Sequence, residues 1–359
     1  MRKFIYSLSI FIGFGLMISS CSEDEYQEEV LSQSSKKTNT IVNYSYNDVK
    51  LFKYFNKDSI SMLEFRNIEA FEEAFEYLMG EQRRYEEQVI SDYKQSHGDT
   101  AIVVYEYIGL DDNYIFKQFE RDLNFNNSMR NDFAIYESQW LSQESPSIEH
   151  PSSKFLFDDA NLSLFNKYGE IKIGDTIIKC TKDGYLAITD GNVSDLIAFN
   201  NGDTTILNKR TVLTNITSEV SNCLSTENTL ETYEHLLYGL IPIKVDVDVK
   251  FWNFLCLGRS FTNAKSYIFL KNSSTGISQW YKCSIKKQVY NRMKIVNNFC
   301  VDTGKIREDY DTGSTFSLSV YCTQWAINII DAFRVMNNNS VYGSCVIQNW
   351  GANGHYIQW

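Results

Sequence analysis

The sequence predicts an α+β protein with a helical N-terminal region, a small β-meander and a C-terminal all-β antiparallel domain of β-sandwich type. Three observations carry this. Between residues 67 and 140, apolar residues recur at spacings of three and four, the period of a helix with one buried face. Between residues 169 and 188, short β-prone runs are separated by Gly-Asp and Asp-Gly, which is turn chemistry. From residue 243 onward, apolar and polar residues alternate with period two, the mark of strands with one face in a core. An apolar content of 43% and an aromatic content of 14% supply such a core and exclude a disordered chain.

Residues 43–149 read as mainly helical. Asn67 caps a helix with Ile68, Phe71, Phe75 and Leu78 on one face, and Gly80 ends it. A second amphipathic segment carries Tyr85, Val89 and Tyr93. Ala101 to Tyr107 is a short β-prone run. Ser128 caps a third helix with Met129, Phe133, Tyr136 and Trp140 along one stripe, which reads as core rather than as a ligand box.

Residues 150–239 read as the β-meander and a mixed connector. Gly169–Asp175 and Thr176–Cys180 are strands joined at Gly174-Asp175, and Asp183-Gly184 precedes Tyr185–Ile188. Residues 192–235 are polar and mixed, with a weak helical signal at 226–238.

Residues 240–359 read as the antiparallel β-domain. Ile243, Val245, Val247, Val249 and Phe251 alternate with Lys244, Asp246, Asp248 and Lys250, predicting a half-buried strand. The pattern slips at Phe251-Trp252, which suggests a bulge. Phe316, Leu318, Val320 and Cys322 alternate with Ser317, Ser319 and Tyr321 in a second half-buried strand. Further strands are expected at 265–270, 278–287, 292–298, 341–348 and 354–359, with turns at 272–276, 311–313 and 351–354.

The first 20 residues have another character. Arg2 and Lys3 precede an almost wholly apolar run from Phe4 to Ile18. As a helix that run rises roughly 22 Å, short of the ~30 Å hydrocarbon core of a bilayer. This fits a cleaved signal peptide, residues 1–20. The end of the run, Ile18-Ser19-Ser20-Cys21, resembles a bacterial lipobox, which implies lipid attachment to the Cys21 thiol. Several acyl chains on one cysteine hold a membrane durably, whereas one holds it marginally. Ser22, Glu23, Asp24 and Glu25 open an acidic run similar to the export signal of surface-exposed Bacteroidetes lipoproteins; the alternative is a plain acidic spacer. Residues 21–42 read as the lipidated cysteine and a flexible tether. The expected place is the outer membrane, lipid-anchored and facing out. No later apolar run approaches 18 residues, so the lipid is the only membrane contact expected.

The resemblance extends further. The lipobox with its acidic follow-on, the Met62–Phe65 run before a Phe/Leu helix, and Asn166 to Lys179 are together similar to a group of Bacteroidetes lipoproteins classed as a domain of unknown function. It implies localisation and architecture, and no catalytic residue.

Charge and motifs narrow the function. The net charge is −11, and removing residues 1–20, with Arg2 and Lys3 and no acid, leaves −13. Nucleic acid is therefore not an expected partner, since phosphate neutralisation needs clustered Lys and Arg. The histidines, His97, His150, His235 and His355, form no HExxH, and no Walker, GxSxG or EF-hand pattern occurs. No cofactor or metal is expected. Seven cysteines remain besides Cys21; they read either as disulfide partners or as small buried side chains. Gln348-Asn349-Trp350-Gly351 and Gly354-His355-Tyr356 faintly resemble elements of papain-like peptidases, with Cys322 cast as nucleophile, but the nucleophile motif is unmatched. Asp302, Glu308, Asp309 and Asp311 offer oxygens to Ca²⁺ or form a solvated turn. Trp252, Trp280, Trp325, Trp350 and Trp359 are either core or stacking platforms for sugars. The expected function is a surface lipoprotein without recognisable catalytic machinery, binding a glycan or protein or serving structurally. The alternatives are an envelope hydrolase with an unrecognised site, and a glycan-binding module in the β-domain.

Overall fold

The computed structural model describes residues 44–56, 58–98, 102–142, 148–155, 157–181, 184–214, 228–237, 240–254, 257–296, 302–325, 334–335, 341–347 and 355–358. The leader, Cys21, the export-signal residues Ser22, Glu23, Asp24 and Glu25, and the tether lie outside them. Among the described residues no helix is long and apolar enough to cross a membrane.

The fold is α+β, with the C-terminal part built from antiparallel strands. The first sheet gathers β1 (Val49–Asn56), β2 (Asp58–Phe65), β4 (Glu170–Ile173), β5 (Thr176–Thr181), β6 (Gly184–Ile188) and β7 (Val212–Thr214), in the order β1-β2-β4-β5-β6-β7. The meander is as expected, with Gly174 at positive φ in the β4–β5 turn. The β1–β2 hairpin lies in the region that reads as helical from sequence. It joins the meander through a parallel contact, Glu64 opposite Lys172 and Phe65 opposite Ile173. Met62–Phe65 is thus the end of a strand.

Helix α1 (Ile68–His97) leaves directly from β2. The Asn67 side chain accepts from the Ala70 N–H at 3.0 Å, as its cap position requires. Gly80 does not end the helix, because the buried stripe of Phe71, Phe75 and Leu78 continues through Gln82, Glu86 and Ile90. A mid-helix glycine costs about 0.5–1 kcal/mol, which packing along the shared face offsets. Helices α2 (Tyr114–Asp122), α3 (Met129–Leu141), α4 (Pro151–Lys154) and α5 (Asp159–Leu164) pack beside it, and α6 (Val193–Asn200) follows the meander. Ser128 holds the cap position of α3, but its hydroxyl makes no capping bond. Among the described residues of the Ala101–Tyr107 run, only β3 (Val103–Val104) is strand.

The second sheet runs β3-β11-β10-β9-β8, with β8 (Asn228–Leu237), β9 (Ile241–Phe254), β10 (Leu257–Lys271) and β11 (Ser278–Ser284); β14 (Ser317–Trp325) also pairs with β10. The helical signal at 226–238 is overridden: β8 pairs with β9 along its whole length. The β9–β10 register runs unbroken through Trp252 opposite Arg259, so the expected bulge is not there. The third sheet runs β13-β12-β16-β17, with β12 (Lys287–Val296), β13 (Asp302–Gly313), β16 (Val341–Ile347) and β17 (His355–Gln358); β15 (Arg334–Val335) pairs with β12. Residues 302–313 are a strand, where the acidic composition suggests a connection. The second and third sheets enclose a core of Val245, Val247, Val249, Val289, Met293 and Leu318. The other face of the second sheet carries the helices. The face of β9 that reads as solvent-exposed is therefore buried as well, with Lys244, Asp246, Asp248 and Lys250 at 5% exposure or less.

Two glycines separate the backbone requirements. Gly80→Ala is expected to stabilise the protein by about 0.5–1 kcal/mol, since the helical site leaves room for a methyl group. Gly169→Ala, at φ 74° and against the Cys180 carbonyl, is expected to destabilise it by more than about 2 kcal/mol. Denaturant unfolding of both variants checks the opposite signs.

Candidate functional site

The alternation of β9 puts valines on one face and Lys244, Asp246, Asp248 and Lys250 on the other. Charges taken out of water need partners. Some lie within the sheet: Lys250 reaches Asp248 at 2.9 Å and the Phe155 carbonyl at 2.8 Å. Others descend from the helices. Lys282 of β11 contacts Asp112 at 2.5 Å and Glu137 of α3 at 2.6 Å. Lys265 of β10 contacts Asp159 of α5 at 3.2 Å. Arg259 of β10 contacts Glu72 of α1 at 2.5 Å and lies over the Phe75 ring. Within the helical layer, Arg130 grips Glu120 through two bonds of 2.8 and 2.5 Å. Burial pulls the Lys282 ammonium down, but Asp112 and Glu137 outweigh it and hold the group well above the ordinary lysine range.

At one end of this layer, Lys244 enters an aromatic box. Its Nζ lies 3.7 Å from the Trp140 ring centroid, 4.7 Å from Trp280 and 4.9 Å from Tyr267. Burial pushes its pKa down to about 8, only partly opposed by Asp246 and Glu234. Beside the box, His150 bonds Asp246 at 2.8 Å through Nε2 and accepts from the Ser152 N–H through Nδ1.

A cavity of about 180 Å³ opens between α1 and β14, and its Phe316 ring packs edge-on against Tyr267 of the box at 5.3 Å. Arg83, Glu86, Asp112, Asp159, Phe316 and Tyr321 stand on its walls. Glu86 accepts from Gln82 at 3.0 Å and from the Tyr105 hydroxyl at 2.8 Å. Burial nonetheless pushes its carboxyl up to about 8, with Asp112 and Asp159 adding in the same direction. Arg83 is held at the rim by Asp311 and Glu87. The cavity combines aromatic walls with carboxyl groups and one guanidinium, an arrangement suited to a small polyhydroxylated or otherwise polar ligand.

Of the residues singled out from sequence whose side chains are described, Asp311 reaches the rim of this cavity through Arg83, and Cys322 and Trp280 do not line it. Cys322 is buried in β14, its Sγ directed at the Asn291 and Arg307 carbonyls, and burial pushes its thiol up to about 12. That is an inert thiol rather than a nucleophile. His355 lies in β17 with its backbone opposite Cys345, and the side chains of both lie outside the described residues, as do those of His235, Trp252, Trp325, Trp350 and Trp359. Trp280 is buried at the Lys244 box and offers no open platform. Cys180, Cys283 and Cys322 are free thiols. In β13, Asp311 is bound to Arg83 and Glu308 pairs with Arg292. Among the described residues no group of His, Cys, Asp and Glu side chains is set to hold a metal. Sequence reasoning misses Glu86 and Glu137, although each sits on its helix's buried stripe: Glu86 between Gln82 and Ile90, and Glu137 between Phe133 and Trp140. A carboxylate at a stripe position is the signal that marks them. Comparison with models of protein families, with curated proteins and with solved structures finds no match in any of the three.

Two titrations follow with opposite signs. Lys244 has a folded pKa below its unfolded value, so stability rises as pH climbs from about 8 to the unfolded lysine value. Lys244→Met is expected to remove that rise and to stabilise the protein at pH 7 by about 1–3 kcal/mol. Glu86 has a folded pKa above its unfolded value, so its contribution is full below the unfolded value and lost as pH rises to about 8. Glu86→Gln is expected to flatten the stability profile over that range. Unfolding free energies of wild type and variants across pH check both.

Proposed function

We propose that the chain is a lipid-anchored protein of the bacterial outer membrane, displayed outward, whose folded body binds a glycan in the cavity between α1 and β14. The single observation that carries the anchoring is Ile18-Ser19-Ser20-Cys21 after a signal-like apolar run and before Ser22, Glu23, Asp24 and Glu25. The binding part draws on the cavity. Its size of about 180 Å³ suits one sugar ring, Phe316 and Tyr321 give it apolar walls, and Glu86, Asp112 and Asp159 stand beside it as acceptors to hydroxyls. The resemblance to surface lipoproteins of the Bacteroidetes, carried by the same stretch, supports the anchoring part of this reading alone.

One observation favours a second reading, an envelope hydrolase. Glu86, with its pKa near 8, carries a proton at neutral pH on the same cavity as Asp112 and Asp159, the pairing of an acid with carboxylate bases.

Metabolic labelling with a fatty acid is expected to mark the wild type and to lose the mark in Cys21→Ala. Proteolysis of intact cells is expected to shave the wild type and to spare a variant with Glu23, Asp24 and Glu25 changed to Ala. An unlabelled wild type sinks the anchor. On a glycan array, a binding sugar is expected to lose affinity by about tenfold in Glu86→Gln, the loss of one hydrogen-bond partner. Turnover of that sugar, abolished in the same variant, replaces the first reading with the second; absence of any bound glycan removes both.

A further inference from the structure

β13 hydrogen-bonds to β12 along one edge, and among the described residues no strand pairs with the other. The N–H groups of Tyr310 and Thr312 are taken by the carboxylates of Asp309 and Asp311, at 2.8 and 2.7 Å, rather than by a neighbouring strand. Because pairing alternates along a strand, residues 306, 308 and 310 present their backbone groups to this free edge. On the outer face Ile306 and Tyr310 are 44% and 56% exposed, large apolar groups on a strand rich in charged residues. Between them Glu308 is bridged by Arg292 of β12 at 3.2 Å.

The order Ile306-Arg307-Glu308-Asp309-Tyr310 is complementary to itself when reversed. We propose that two copies of this chain join β13 to β13, antiparallel, with residue 308 on the two-fold axis. This register sets Ile306 against Tyr310 on one face and Arg307 against Asp309 on the other. Glu308 meets Glu308, and Arg292 of each copy stands beside the pair to neutralise it. Adjacent registers fail on charge: centring on 307 opposes Arg307 to itself, and centring on 309 opposes Asp309 to itself. On pairing, the Tyr310 N–H passes from its own neighbour's carboxylate to the Ile306 carbonyl of the second copy, and Asp309 turns to Arg307. The contact is short, well below the area of a standard interface, so the dimer is weak and depends on concentration. The inference rests neither on the lipid anchor nor on the cavity.

Sedimentation of the full chain in detergent is expected to give a monomer–dimer equilibrium. Asp309→Arg, which sets one guanidinium against another across the axis, is expected to weaken it at least about tenfold. The reversed pair Arg307→Asp with Asp309→Arg is expected to restore it, which a general loss of folding does not do. Glu308→Cys, on the axis at the ~5.5 Å Cα separation of a bonded pair, is expected to give a disulfide-linked dimer when an oxidant is added. A wild type that stays monomeric, an Asp309→Arg variant that associates like the wild type, or a double variant that fails to recover overturns the proposal. The charges of β13 would then be guards that keep a free edge from pairing.

Discussion

The structure depends on how the charged face of one sheet is neutralised. β9, β10 and β11 turn Lys, Arg and Asp side chains toward the helices, not toward water. An unpaired charge there costs several kcal/mol, so each position constrains what can cover it. The helices answer with carboxylates: Glu72 on α1, Glu137 on α3 and Asp159 on α5. Such pairs add little net stability compared with an apolar layer, but they discriminate strongly between arrangements. A helix shifted by one turn leaves a lysine and a carboxylate each buried alone. The fit of helices to sheet is thus set by sign matching over a surface where apolar packing alone would allow sliding.

Much of the fold was legible because it obeys simple periods. The meander, the valine face of β9 and the alternation in β14 follow from period-two patterns and Gly-Asp turns. The stripes of α1 and α3 follow from three- and four-residue spacing. What failed had specific causes. Gly80 reads as a stop, yet packing on both sides of it carries the helix through. The 226–238 segment has weak helical preference, and pairing with β9 outweighs it. The acidic run at 302–311 reads as a turn, but one edge bonded to β12 is enough to hold a strand whose other surfaces are wet. The Lys-Asp-Asp-Lys face of β9 reads as solvated because period two reports the alternation of polarity, not what lies above it.

The candidate site was legible only in part. Sequence motifs point to Cys21 and to the acidic run after it, and that region carries the proposed localisation. The cavity is assembled from residues far apart in the chain, among them Glu86, Asp159 and Tyr321, and no local pattern joins them. Of the carboxyl groups beside the cavity, Glu86 is the one that burial pushes up, which links the buried polar layer to the place where function is proposed.

Buried ion pairs lock the helical layer to the sheet. Native-state hydrogen exchange of Lys282→Met tests this most directly, because that change removes the short ammonium contacts of Asp112 and Glu137 and leaves Glu137 with Lys265 at 3.9 Å. Amides of α3 (Met129–Leu141) are expected to exchange about a hundredfold faster, roughly 3 kcal/mol, while those of β12 keep their protection. Unchanged protection in α3 would contradict the lock.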